Sequence, residues 1–185
     1  MNERVVVVNA GKMNYDHLLD FSVLSNDVQV YDDSTNAELI ERIQGATVVV
    51  TKEIPVGPEL LSQFPESVKL IVEAGTGYNN IDLDAARAKG ITVCNIPAYS
   101  TERVAHTAIM MLLNFASTMQ QQIGMLARGD RSNFTKHLQV PHTEVNGKTL
   151  GIIGAGHIGM AVVKVARALD MNILIHTRTP KEDSE

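Results

Sequence analysis

Thr149-Leu150-Gly151-Ile152-Ile153-Gly154-Ala155-Gly156-His157-Ile158-Gly159 is the stretch that decides the fold. An apolar run of strand type leads directly into G-x-G-x-x-G. A helix-like segment follows from Met160 to Leu169, and a second apolar strand from Asn172 to His176. The order strand, glycines, helix, strand is the start of a dinucleotide-binding unit. The first glycine permits the tight turn. The second lets backbone N–H groups approach a pyrophosphate with no Cβ in the way, and the third lets the helix pack closely on the strand. The phosphates then sit at the positive end of the helix dipole. Glycine-rich turns also occur in other α/β proteins, so it is the flanking elements that carry the reading. Gly154, Gly156, His157, Ile158 and Gly159 are the expected cofactor contacts. His157 is expected to lie exposed near the phosphates, without a metal or catalytic role.

The residues after the second strand bear on the choice of cofactor. A fold that takes NAD places Asp or Glu about 20 residues after the glycines, where it binds the ribose 2′-hydroxyl. Here the stretch reads His176-Thr177-Arg178-Thr179-Pro180, and the next carboxylate is Glu182. The Arg178 guanidinium and the hydroxyls of Thr177 and Thr179 suit a 2′-phosphate, which predicts NADP over NAD. A solvated surface Arg is the competing reading of Arg178.

The 185 residues fit one large domain or two small ones. A formal net charge of −5 with no basic stripe argues against nucleic acid as the main partner. The single cysteine, Cys94, permits no internal disulfide and points to a reducing compartment. Its place in the apolar run Ile91–Ile96 predicts a buried structural thiol. Met1-Asn2-Glu3-Arg4 leads straight into a short strand with no signal-peptide pattern. The most apolar segment, Val104–Ala116, is interrupted by His106, Thr107 and Asn114. It is too short to span a bilayer and reads as a buried helix. The expected setting is therefore the cytoplasm, without membrane association.

Upstream, β-branched runs alternate with helix-like stretches. The predicted strands are Val5–Asn9, Val28–Tyr31, Ala46–Thr51, Leu70–Ala74 and Thr92–Asn95. The predicted helices are Tyr15–Ser22, Asn36–Ile43, Glu59–Gln63 and Leu83–Lys89, with Gly90 as the stop of the last. This pattern predicts a five-stranded parallel sheet covered on both faces. Ser100 or Thr101 could cap a long helix running to about Leu126. Ser132–Gly147 reads as a loop with a turn at Asn146-Gly147. The loop holds His137 and His142 but no further ligands at metal-site spacing, so a solvated loop is expected and no metal.

Several ordered motifs together resemble one family. Val72-Glu73-Ala74-Gly75-Thr76-Gly77-Tyr78-Asn79-Asn80-Ile81-Asp82 and Gly90-Ile91-Thr92-Val93-Cys94-Asn95-Ile96-Pro97 look like the D-isomer-specific 2-hydroxyacid dehydrogenases. Thr101-x-x-Val104-Ala105 and Val145-Asn146-Gly147-Lys148-Thr149-Leu150 strengthen the likeness, which is nearest to the glycerate dehydrogenase and hydroxypyruvate reductase group. The resemblance implies an α/β chain in which a flavodoxin-like parallel-sheet substrate domain (1–100) is followed by an interdomain helix and the first βαβ unit of a Rossmann cofactor domain (101–185). It also implies an active site in the cleft between domains and a homodimer in the full-length form. The substrate is expected to be a small 2-keto or 2-hydroxy acid. Gly75, Thr76 and Gly77 are the implied substrate-carboxylate contacts, because clustered backbone amides form an anion nest; a plain turn after a strand is the alternative. Val104 is implied to lie beside the nicotinamide. His106 occupies a position that is acidic or an amide in many members, so it is not matched to the family's proton-transfer histidine; packing at a domain boundary is expected instead. Tyr78 stays open between substrate selection and packing.

The family's Arg, Glu and His act in segments that follow the second Rossmann strand, and none maps onto this sequence. The resemblance therefore describes a C-terminally truncated member, expected to be inactive alone. Two readings follow: an oxidoreductase acting on 2-keto acids, or a non-catalytic nucleotide-binding or interaction protein.

Overall fold

Five β-branched runs pair side by side in the computed structural model, which describes residues 3–178. They form β1 (Arg4–Val7), β2 (Asp27–Val30), β3 (Val48–Thr51), β4 (Leu70–Glu73) and β5 (Thr92–Asn95). All pairings are parallel, in the order β2-β1-β3-β4-β5. Central β1 is buried on both faces, as its unbroken valine run requires. Val6 and Val8 join Leu39, Val49, Leu61 and Ile71 in the larger core, while Val5 and Val7 join Ala10 and Val50 in a smaller one.

Three helices link these strands: α1 (Asn36–Arg42), α2 (Pro58–Ser62) and α3 (Leu83–Ala88). α1 opens with a capping box, Thr35 accepting from the Glu38 N–H while the Glu38 carboxylate accepts from the Thr35 N–H. Pro58 starts α2 and the Asp82 side chain caps α3.

The sheet is covered on both faces, as expected, but the three α-helices lie on one of them, while Ala10, Met13 and Phe21 of the segment between β1 and β2 pack on the other. Leu39, Ile43, Leu60, Leu61 and Ala86, from all three helices, fill the same core. Right-handed crossovers explain this. The steps β2→β3, β3→β4 and β4→β5 all advance in one direction along the sheet, so their helices fall on one face. Only the β1→β2 step runs the other way, and it carries no α-helix. The helix expected at Tyr15–Ser22 is replaced by 3₁₀ turns at Ala10–Lys12 and Phe21–Leu24. The Asn14 side chain bonds both the N–H and the carbonyl of Leu19, and His17 has φ +57°, so local bonds outcompete the helix. Cys94 is likewise exposed rather than buried. It lies on edge strand β5, on the face opposite Val93, which packs toward the helices.

The chain divides into two compact units, Met1–Tyr99 and Ser100–Glu185. The second holds α4 (Thr101–Ser117), α5 (Met119–Ala127), the short α6 (Ser132–Thr135), β6 (Thr149–Ile153), α7 (His157–Ala168) and β7 (Asn172–His176). The single helix expected from residue 101 to 126 breaks at Thr118, which is left-handed at φ 50°, ψ 35°. Hydroxyls take backbone partners at the break: the Ser117 hydroxyl donates to the Leu113 carbonyl, and the Thr118 hydroxyl donates to Ser117 O and to the remote Pro141 O. Nor is α4 buried as its composition suggests, since only Ala105 and Ile109 are buried while Met110, Met111 and Phe115 are exposed. The stretch expected as a plain loop after residue 131 contains α6, whose Asn133 is buried and accepts the N–H groups of Gln139 and Val140.

β6 and β7 pair in parallel, and the βαβ unit reads as the sequence predicts. Leu150, Ile152 and Ile173 pack toward α4 and α7, whereas Ile153 and Leu174 point to the open face and are 91% and 66% exposed. The third glycine sets the helix-to-strand spacing. A Cβ at Gly159 would overlap the Gly154 carbonyl oxygen and touch Ile152 Cγ2 at 3.4 Å. Gly159→Ala is therefore expected to destabilise the second unit by about 1–3 kcal/mol. Hydrogen exchange of the α7 and β6 amides should accelerate accordingly while β1 amides keep their protection; unchanged α7 protection would contradict the close approach.

Candidate functional site

The first unit gathers polar groups at the carboxyl ends of its strands, where open parallel sheets hold ligands. In the order 2-1-3-4-5 the connections reverse between β1 and β3, and Asn9 and Lys52 follow those two strands. Asn9 is fully buried. Its Nδ2 donates to the Lys52 carbonyl at 2.6 Å and its Oδ1 accepts the Lys52 N–H at 2.9 Å. The next residue, Glu53, has φ +60° and donates its N–H to both Glu73 carboxylate oxygens, at 3.0 and 3.2 Å. Glu73 itself is fully buried and also accepts from Asn80 Nδ2 at 3.0 Å, while the same Asn80 amide donates to the Ile54 carbonyl. One buried carboxylate thus ties the loop after β3 to the loop after β4.

Between Glu73 and Asn80 lies the turn Gly75-Thr76-Gly77. Its carbonyls are engaged: Gly75 O accepts the Ile96 N–H at 2.9 Å, and Thr76 O accepts Asn95 Nδ2 at 2.8 Å. The Thr76 hydroxyl donates to Ile96 O. Among the described residues, the three N–H groups of the turn donate to no acceptor. A Cβ at Gly75 would lie 2.7 Å from Lys52 Nζ and 3.2 Å from Glu73 Oε1, so a side chain there would displace the ammonium. Lys52, Glu73, Asn9 and Asn80 are the site residues that the sequence reading missed. Their signal is positional: Asn9 is the polar residue that ends the apolar run Val5–Val8, and Lys52 directly follows the strand Val48–Thr51.

The second unit places the other expected contacts together. Ile153, Gly154, Ala155, Gly156, His176, Thr177 and Arg178 line one open groove of about 510 Å³. Gly154 has φ +100°, the left-handed backbone that the first glycine serves. Gly156 is the N-cap of α7 and provides no side-chain cap, so the first turn of the helix is left to an outside acceptor. A Cβ at Gly156 would meet no atom within 4 Å, so the glycine keeps open the space an approaching phosphate would enter. His157 and Ile158 form the start of α7, with His157 exposed. The groove fits a dinucleotide pyrophosphate on these grounds. No carboxylate is among its described lining residues, and Arg178 is exposed at its rim. Thr179 lies outside the described residues. Val104 is 42% exposed in the first turn of α4. His106 is exposed too, beside Ile109, Met110 and Leu113, so packing is not its state within this unit. Among the described residues, no helix is long and apolar enough to cross a membrane, and no three His, Cys, Asp or Glu gather as a metal site.

A parallel sheet with a glycine turn at its carboxyl edge, and a βαβ unit with an uncapped Gly-rich helix start, define a two-part α/β dehydrogenase architecture. Residues 5–172 match the family described as D-isomer specific 2-hydroxyacid dehydrogenase, catalytic domain, and the chain belongs to that family. A D-3-phosphoglycerate dehydrogenase of Methanocaldococcus jannaschii is 38% identical over 162 residues, 86% of this chain and 30% of the relative. A glycerate dehydrogenase of Methylorubrum extorquens is 33% identical over 150 residues, 80% of this chain and 48% of the relative. A crystal structure of D-lactate dehydrogenase from Aquifex aeolicus complexed with NAD and lactic acid superposes with a TM-score of 0.79 at 26% identity, covering 97% of this chain and 53% of that one. The chain thus spans half or less of the length of these curated relatives. The family's enzymes are NAD(P)-dependent oxidoreductases acting on CH–OH groups.

Replacing Glu73 tests the buried tie. Glu73→Gln leaves one acceptor where the carboxylate offers two, and its NH₂ faces donors. The expected loss is about 1–3 kcal/mol in urea or thermal unfolding. The Glu53 backbone amide and the Asn80 side-chain amide should shift most in the 1H–15N spectrum; an unchanged midpoint would show that Glu73 is dispensable.

Proposed function

We propose that this chain provides the carboxylate-recognising and dinucleotide-recognising parts of a D-2-hydroxyacid dehydrogenase that interconverts a small 2-keto acid, of hydroxypyruvate or glyoxylate type, with its D-2-hydroxy acid. The observation that carries this is the Gly75-Thr76-Gly77 turn, with its carbonyls engaged and its amides left over at the carboxyl edge of the sheet. These amides hold the substrate carboxylate. Gly154, Gly156, His157, Ile158 and Gly159 cradle the pyrophosphate, and Val104 borders the nicotinamide. When bound, the nicotinamide dinucleotide supplies or accepts the hydride, and the protein supplies orientation and electrostatics. The proposed domains are a substrate domain over 1–100 and, over 101–185, an interdomain helix with the first part of a cofactor domain. A homodimer is proposed for the full-length enzyme, in the cytoplasm.

Thr177, Arg178 and Thr179 are proposed to receive a ribose 2′-phosphate, which favours NADP over NAD. The carboxylate-free lining of the groove supports this. Arg178→Ala should weaken NADPH binding on the order of tenfold or more and leave NADH within about twofold. A fluorescence titration in which the parent chain prefers NADH would contradict the assignment.

The 185-residue chain by itself is expected to bind cofactor weakly and to turn nothing over, because proton transfer and polarisation of the substrate carbonyl have no assigned group in it. NADPH-dependent reduction of hydroxypyruvate or glyoxylate by the purified chain would refute that. A second reading is a non-catalytic nucleotide-binding or interaction protein. Intact mass in the native cell separates the two: well above 20.2 kDa for the dehydrogenase, and 20.2 kDa for the non-catalytic protein.

A further inference from the structure

Among the described residues, Lys52 is the cation built into the glycine-turn site. Its backbone is clamped on one side by the buried Asn9 amide, and its neighbour Glu53 is clamped by the buried Glu73 carboxylate. The side chain is only 16% exposed, although lysine is ordinarily a surface residue. Its Nζ stands so close over Gly75 that a Cβ there would lie 2.7 Å from it and push the ammonium away. The ammonium's partners are weak. The Glu53 carboxylate, at 3.4 Å, is on a mostly exposed side chain, and the Tyr99 hydroxyl is at 3.5 Å, with the ring centroid 5.9 Å away. The loop places a held cation beside backbone amides that have no acceptor, and commits that cation to no strong internal partner.

We propose that Lys52 is the cationic half of the carboxylate site, so that the substrate's carboxylate is held between the Lys52 ammonium and the backbone amides of Gly75, Thr76 and Gly77. This rests on the reading of the turn as the substrate-carboxylate contact and adds to it a specificity-determining side chain. Amides alone accept any anion or carbonyl of the right size. An ammonium adds a charge-assisted bond that a neutral analogue cannot match. The glycine at 75 has a defined task in this arrangement: it lets the ammonium descend to the level of the turn. Burial opposes the charge on Lys52, but the neighbouring Tyr99 hydroxyl and Glu53 carboxylate outweigh it and hold the lysine pKa above its ordinary value. The group is therefore charged throughout the neutral range.

The test uses the 185-residue chain labelled with 15N and titrated with sodium glycolate at constant ionic strength, with ethylene glycol as the neutral control. The expected result is a saturable shift of the Gly75, Thr76 and Gly77 amide resonances with glycolate and none with ethylene glycol. Lys52→Met should weaken the glycolate response on the order of tenfold or more, while Lys52→Arg should stay within about threefold of the parent. Retained dispersion of the remaining amides shows that each variant is folded, and Lys52→Arg keeps the charge if Lys52→Met disturbs the loop. Equal affinity in Lys52→Met and the parent would overturn the role of Lys52 and leave the turn's role standing. Equal loss in both variants would overturn a role based on charge. No saturable shift in the parent would overturn the turn reading and the lysine with it.

Discussion

The buried carboxylate of Glu73 is the constraint on which the first unit's site depends. A charge removed from water must find compensating donors or the fold is penalised heavily. Glu73 finds two, the Glu53 N–H and the Asn80 amide, and they lie on the two loops that frame the glycine turn. The satisfaction of one charge therefore fixes the relative position of both loops. Asn9 acts in the same way two strands over, using both ends of its amide on the Lys52 backbone. Two buried polar side chains, each with its partners, give an exposed loop edge the rigidity that a binding turn requires.

The second unit reaches a similar end by different means. Among the described residues, its groove has no buried charge to organise it. Glycines give the backbone the shape it needs: left-handed at Gly154, open at Gly156, and in near-contact at Gly159. The electrostatics come from the start of α7, which lacks a side-chain cap. The first unit thus positions a side-chain cation by buried hydrogen bonds, whereas the second positions main-chain dipoles by removing side chains.

What the sequence made legible follows this division. The βαβ unit was readable because its glycines and apolar runs are local signals, and β6 and β7 begin and end where the pattern predicts. The five parallel strands were readable for the same reason. Three features were not. The break at Thr118 depends on hydroxyls choosing backbone partners, including Pro141 O, 23 residues away. The one-sided placement of helices depends on strand order, which no single segment encodes. The pairing of Glu73 with residues 53 and 80 joins positions remote in sequence, and a Glu at the end of a strand gives no sign of whether it is buried. Cys94 shows the converse: an apolar run predicted burial, but the edge position of β5 leaves the thiol exposed.

The geometry of the groove in the second unit rests on one contact more than on its own strands. A two-stranded sheet is marginal by itself in water, and here its open face leaves Ile153 and Leu174 exposed. What holds β6 and β7 is the layer above them, where Val162 and Ala166 of α7 meet Ala105 and Ile109 of α4, with Met171 closing the end. Ala105 and Ala166 are almost fully buried, and at such positions a small side chain sets how near two helix axes can come. The position of α7 over the sheet, and with it the aim of the helix start at the groove, is therefore set by alanines that touch no ligand. Enlarging either would tilt α7 before it changed any residue of the glycine run, so the phosphate recognition proposed for this unit would depend on helix packing as much as on the motif.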